Sequence, residues 1–79
     1  MTNRFTRGEA EHYYYVIFAS DCWQIVKANN QKQMRAAGYD IKAITARYRH
    51  YDSASSHLRQ IHHPDRIYYK SLTGSDWID

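Results

Sequence analysis

Basic and aromatic side chains alternate in two stretches of the second half of the chain. Residues 47–51 read Arg-Tyr-Arg-His-Tyr, and Arg66 is followed by Tyr68, Tyr69 and Lys70. Guanidinium and ammonium groups bind backbone phosphates, and tyrosine rings stack on unpaired bases. The pattern therefore predicts a nucleic-acid surface, although tyrosine and arginine also dominate protein–protein contacts. A second alternative stays open, in which Tyr48, Tyr51 and one of the pair Tyr68 and Tyr69 belong to the core.

The charge distribution selects the residues that we expect to make the contact. The formal net charge is +3 and the isoelectric point is near 9.1, which alone is too weak to establish nucleic-acid binding. Between residues 42 and 70, however, the carboxylates are only Asp52 and Asp65, and four of the five histidines lie there too. The expected contact residues are Lys42, Arg47, Arg49, Tyr51, Arg59, Arg66 and Lys70.

The residues that could support catalysis are few. His57, His62 and His63 lie close together, but no cysteine or carboxylate completes a metal site with them. Cys22 is the only cysteine, and a lone cysteine is more often buried than reactive. A metal-independent ribonuclease that uses His57 or His62 with Arg59 is a lesser alternative. We expect a protein that is not an enzyme, with no metal and no cofactor.

The length and composition indicate one domain over residues 1–79, with a flexible arm at residues 1–8. The chain is 43% hydrophobic and 15% aromatic, with eight tyrosines, which is typical of a folded domain. One cysteine permits no internal disulfide, and no run of about 18 apolar residues predicts a membrane span. We expect a soluble cytoplasmic protein without membrane contacts. Homodimer formation stays open.

The longest stretch without charge, Gly or Pro is residues 12–19, and it predicts a central β-strand at residues 13–19. Its tyrosines, Val16, Ile17 and Phe18 favour a pleated surface, and both faces are apolar. A helix is expected next, from Asp21 as N-cap to Gly38 as the residue that ends it.

Residues 39–51 are ambiguous by periodicity. As a strand they would place Tyr39, Ile41, Ala43 and Thr45 on one face. As a helix they would align Ile41, Ile44, Tyr48 and Tyr51, which is the cleaner pattern and the one that we favour.

The remaining elements follow turn and cap signals. A short helix is predicted over residues 52–63, ended by Pro64. Residues 66–72 predict a strand, residues 73–75 a turn, and residues 76–78 a short edge strand.

The stretch 31–61 resembles a helix-turn-helix. Residues 33–44 are similar to its first helix and residues 53–61 to the recognition helix, with the terminal hairpin as a wing. The resemblance implies that Ser55, Ser56, Arg59 and Gln60 face the bases or phosphates.

The expected fold is α+β: an N-terminal strand, two or three helices and a C-terminal strand or hairpin. An all-helical core with a small hairpin is the alternative. The leading functional hypothesis is a small, non-enzymatic nucleic-acid-binding protein, for DNA or RNA. The alternative is an inhibitor, encoded by a phage or mobile element, that acts on a nucleic-acid-processing or defence complex in the cytoplasm of its host. In its small size and its tyrosine content the chain resembles anti-CRISPR-type proteins.

Overall fold

A four-stranded mixed sheet organises the protein, as a computed structural model describes it over residues 12–73. The strands are β1 (Tyr13–Ala19), β2 (Cys22–Ala28), β3 (Ile44–Tyr48) and β4 (Ile67–Ser71), in the order β3-β1-β2-β4. The helices are α1 (Gln31–Ala36) and α2 (Tyr51–Ile61), with a 3₁₀ turn at Ile41–Ala43. β1 pairs antiparallel with both of its neighbours, whereas β2 and β4 are parallel. The predicted α+β class is confirmed.

The predicted central strand is confirmed, and its two apolar faces supply two separate cores. Alternate residues of a strand point to opposite sides of the sheet. On one side, Tyr14 and Val16 pack with Ile25 beneath Ala54 and Leu58 of α2. On the other side lies a second core of five buried residues, which are Tyr15, Ile17, Val26, Ala28 and Met34. All ten residues are almost fully excluded from solvent.

Short hydrogen bonds fix α1 against the sheet. The Oδ1 atom of Asn30 accepts a hydrogen bond from the backbone N–H of Gln33 at 2.8 Å and so caps the helix. The Nε2 atom of Gln33 donates to the backbone carbonyl of Leu72 at 2.9 Å, which ties the helix to the end of β4. Met34 is the buried residue of α1 and fills the second core.

The predicted helix from Asp21 is wrong over its first part. Ser20 and Asp21 are instead the two central residues of a tight hairpin turn, with φ angles of 55° and 61°. Aspartate tolerates this left-handed conformation, which the hairpin turns that match the twist of a sheet require. Trp23, Ile25 and Val26 then pair with β1, and such residues favour a strand. Only the last part of the predicted helix is helical, as α1.

The favoured helix over residues 39–51 is also wrong. After the 3₁₀ turn the chain extends into β3, which pairs with β1 across a β-bulge between Val16 and Ile17. The strand alternative was the better interpretation for residues 44–48. β3 forms backbone hydrogen bonds with β1, and the periodicity of the sequence contains no information about such a partner strand.

The helix-turn-helix predicted from the resemblance is wrong, because β3 lies between α1 and α2. In that motif two helices are joined by a turn of about 3–4 residues. The helix predicted over residues 52–63 is confirmed as α2, and the strand predicted over residues 66–72 as β4. β4 pairs in parallel with β2, and the predicted arm at 1–8 and edge strand at 76–78 lie outside the described residues.

The crossover from β3 to β4 carries α2 over the sheet. β3 and β4 run in the same direction at opposite edges, since each runs parallel to β2. α2 ends at Ile61, and His63, two residues later, adopts a left-handed conformation (φ 48°) just before Pro64. Within residues 12–73, no helix has the length and apolar character needed to span a membrane.

Candidate nucleic-acid interface

The seven residues expected to make contacts are divided among different parts of the fold. Six are exposed: Lys42, Arg47, Arg49, Arg59, Arg66 and Lys70. Lys42 lies in the 3₁₀ turn, Arg47 on β3 with Arg49 just after it, and Arg59 on α2. Arg66 and Lys70 lie at the other edge of the sheet, just before and within β4. The expected cations therefore lie near two opposite edges of the sheet, with Arg59 on α2 apart from both.

The first surface, which we call the β3 patch, consists of Tyr13, Arg47 and Arg49. The guanidinium carbon of Arg47 lies 4.5 Å from the centre of the Tyr13 ring, and that of Arg49 lies 5.3 Å from it. Both distances are within the range of cation–π attraction. The ring therefore holds two positive charges close together at the exposed end of an edge strand.

The phenol of Tyr15 lies beneath the β3 patch, because Tyr15 and Arg47 are paired across β1 and β3. Burial raises the pKa of the Tyr15 phenol above its ordinary value of 10.0, and the charge of Arg47 offsets this only in part. The phenol is consequently neutral at physiological pH. It does not neutralise the charge that Arg47 presents to solvent.

Tyr51 belongs to the core side of α2. Its ring meets Tyr14 edge-on at 6.1 Å between ring centres, and it meets Tyr69 edge-on at 5.6 Å. Such perpendicular arrangements are favourable between aromatic rings and hold Tyr51 half-buried. The alternative in which this tyrosine is a core residue therefore describes its position better than a contact surface does.

The second surface, which we call the β4 groove, lies on the side of the sheet that carries α1. Two adjoining cavities of about 280 and 330 Å³ share Cys22 and Tyr68 in their walls. Asp21, Asp65 and Arg66 line the first cavity, and Gln24 and Lys70 line the second. Tyr68 is 48% exposed, whereas Tyr69 next to it packs against the core.

Sequence reasoning identified the cations of this groove but missed Gln24, Cys22 and Asp21. These three residues belong to the segment that was predicted to be helical, so no sequence pattern placed them beside β4. The alternation of Arg66, Tyr68 and Lys70 was a usable signal. In a strand, residues two positions apart share a face.

A row of rings lies on the α2 side of the sheet. The hydroxyl of Tyr48 is 2.7 Å from Nδ1 of His57, and the ring of His57 lies 5.9 Å from that of His62. The ring of His62 stacks on Trp23 at 4.1 Å and 26°. These contacts occupy one nitrogen of His57 and one face of His62. Among residues 12–73, no three His, Cys, Asp or Glu side chains lie close enough together to hold a metal ion.

Comparison with protein-family models, curated proteins and solved structures finds no match to this chain. The β3 patch and the β4 groove are the surfaces of this chain whose chemistry bears on its function.

Proposed function

We propose that the protein is a non-enzymatic nucleic-acid-binding module. The observation that carries this proposal is the β3 patch, where two guanidinium groups lie against one tyrosine ring. Arginine binds phosphate oxygens through a planar fork of N–H donors and also stacks on aromatic faces. A phosphate and its neighbouring base require these two kinds of group side by side.

The charge of the chain is consistent with the proposal. It carries 11 lysines and arginines against eight aspartates and glutamates, which gives a formal net charge of +3 with neutral histidines. A surface of one sign attracts a polyanion and raises the rate of encounter.

The experiment is a binding titration at stepped salt concentrations. A fluorescently labelled oligonucleotide, single-stranded or duplex, is titrated with protein, and anisotropy gives the affinity. Each phosphate that the protein neutralises contributes a slope of about −0.7 for single strands or about −0.9 for duplex in a plot of log K against log salt. Arg47→Gln with Arg49→Gln should remove about 1.4 of that slope on a single strand.

A matched double variant separates the patch from net charge. Lys32→Gln with Arg35→Gln removes the same two charges from exposed positions on α1. We expect the β3 variant to weaken binding at low salt by much more than the α1 variant does. Equal losses would reduce the effect to net charge, and wild-type affinity that does not respond to salt would end the proposal.

Exposed apolar side chains favour the second candidate function, a protein-binding inhibitor or adaptor. Phe18 is 44% exposed and Ile61 is 60% exposed. Phe18 packs on Trp23, which stacks on His62, so these three side chains lie together. Aromatic and aliphatic anchors of this kind dominate protein interfaces. A pull-down from nuclease-treated lysate that retains partners with the wild type and loses them with Phe18→Ser would support this candidate.

A further inference from the structure

We propose that the β4 groove binds a single-stranded segment of nucleic acid, with a preference for bases that carry an exocyclic amine. Tyr68 stacks on an unpaired base, and Arg66 and Lys70 contact the phosphates on either side. This inference rests on the proposed function and names the form of nucleic acid. It concerns a surface distinct from the β3 patch.

The spacing of the side chains along β4 suits an extended single strand. Arg66, Tyr68 and Lys70 are two residues apart, so a strand rise of about 3.3 Å places neighbours about 6.6 Å from each other. A base plane flanked by cations at this separation matches the alternation of base and phosphate along an extended strand. Tyr68 lines both cavities, whereas Arg66 lines the first and Lys70 the second.

The size of the groove suits an unpaired base. Cavities of about 280 and 330 Å³ lie at the lower end of the range of about 300–1,000 Å³ that small ligands occupy. They suit one base with its sugar. A base inside a duplex cannot enter such a cavity without leaving the stack, which costs a few kcal/mol. The groove therefore favours strands that are already unpaired.

The orientation of Gln24 makes its side-chain oxygen the available hydrogen-bond acceptor. Its Nε2 atom donates to the backbone carbonyl of Ala19 at 3.2 Å and contacts Sγ of Cys22 at 3.6 Å. The donor end of the amide is thus engaged within the protein, and Oε1 is the end left to a ligand. Gln24 is paired with Tyr68 across β2 and β4, and both side chains line the second cavity.

Two carboxylates in the first cavity add hydrogen-bond acceptors to the one that Gln24 supplies. Asp21 and Asp65 both line it, and neither can donate a hydrogen bond when ionised. Cytosine, adenine and guanine present exocyclic amino donors, whereas the donor on the edge of an unpaired thymine is the ring N3–H. The same carboxylates repel phosphate, which leaves phosphate to Arg66 and Lys70 at the two ends.

The first test uses paired substitutions of Tyr68 and labelled oligo(dC) and oligo(dT). Tyr68→Thr removes the ring and keeps a residue that favours strands, whereas Tyr68→Phe keeps the ring. Loss of one stacked base should lower affinity for oligo(dC) by about 5- to 150-fold in Tyr68→Thr. Tyr68→Phe should stay within about twofold of the wild type, because the stacking face is retained.

The second test concerns base preference. Comparison of oligo(dC) with oligo(dT) keeps the ring size constant and changes the hydrogen-bonding edge. The wild type should bind oligo(dC) about 3- to 10-fold more tightly, the size expected of one net hydrogen bond. Gln24→Met should narrow this preference, because it removes one of the acceptors that line the groove. Equal affinities of the wild type for the two strands would overturn the assignment of Gln24 and with it the amine preference.

The outcomes separate the groove from the proposed function as a whole. Salt-dependent binding that Tyr68→Thr leaves intact would overturn the groove and leave the β3 patch as the contact. Binding of duplex more tightly than single strands at the same salt would also overturn it. If the wild type binds no nucleic acid even at low salt, both proposals fall together. Circular dichroism of each variant verifies that the comparison is made between folded proteins.

Discussion

Leu58→Ala tests the way in which α2 is held on the sheet. Leu58 is fully buried against Tyr14, Val16 and Ile25. Truncation of a buried leucine costs about 2–5 kcal/mol, because transfer energy is lost and a cavity remains. A chain of this size has a total stability of about 4–12 kcal/mol, so one substitution removes a large share of it.

The assay is urea unfolding followed by far-ultraviolet circular dichroism. With an m-value of about 1 kcal/mol per molar urea, the midpoint of Leu58→Ala should fall by about 2 M or more. The m-value itself should not change, because the surface exposed on unfolding is nearly the same.

Ile61→Ala is the matched control on the same helix. Ile61 is 60% exposed, so its truncation should change stability by about 0.5 kcal/mol or less. Alanine is also the better helix former, which offsets part of any loss. Similar midpoints for the two variants would refute the packing of α2 described above, since they would mean that the two faces of the helix are equally exposed.

Three further predictions concern individual side chains. Burial raises the pKa of the Tyr15 phenol, so the folded state favours the neutral form. The folding stability that comes from this preference is complete below about pH 10 and is lost as pH rises through the folded-state pKa. Tyr15→Phe should therefore reduce the loss of thermal stability between about pH 9 and about pH 11, and an unchanged profile would contradict this. Asn30→Ala removes the cap on the N–H of Gln33 and should cost about 0.5–2 kcal/mol in urea unfolding, whereas Asn30→Asp should cost much less. Tyr48→Phe removes the 2.7 Å hydrogen bond to His57 and should cost about 0.5–1.5 kcal/mol; a double-mutant cycle with His57→Leu that shows no coupling would argue against the bond.

Residue types predicted those elements whose local preference agrees with their tertiary partners. β1 is apolar on both faces and is buried on both, so its composition was sufficient. α2 ends close to Pro64 as expected, although it begins after His50, which makes no side-chain capping hydrogen bond, and the serines lie inside the helix. β4 is rich in tyrosine and isoleucine. Local preference and packing point the same way in all three elements.

The errors arose where capping signals and tertiary pairing compete. Asp21 is a good N-cap and also a residue that tolerates a left-handed turn, and pairing of β2 with β1 decides between the two. Ile41, Ile44 and Tyr48 do have helical spacing, yet residues 44–48 form a strand because they pair with the free edge of β1. Sequence periodicity contains no information about a neighbouring edge.

The candidate site was predictable as chemistry and not as geometry. The alternation of arginine and tyrosine indicated which residue types could bind nucleic acid, and Arg47 and Arg49 lie together against the Tyr13 ring. Tyr68 and Gln24 are neighbours only because β4 pairs with β2, although the two residues are far apart in the chain. A contact of this kind depends on the topology of the sheet.

The parallel pairing of β4 with β2 also determines when the β4 groove exists. The β1–β2 hairpin forms between adjacent segments and closes quickly, whereas β4 must wait for α2 to cross the sheet. A chain that is still emerging from the ribosome therefore has an open β2 edge, which is prone to aggregation, and lacks the far wall of the groove. Pairing of β4 with β2 covers that edge and also completes the walls of the groove, so the sheet and the groove are completed together.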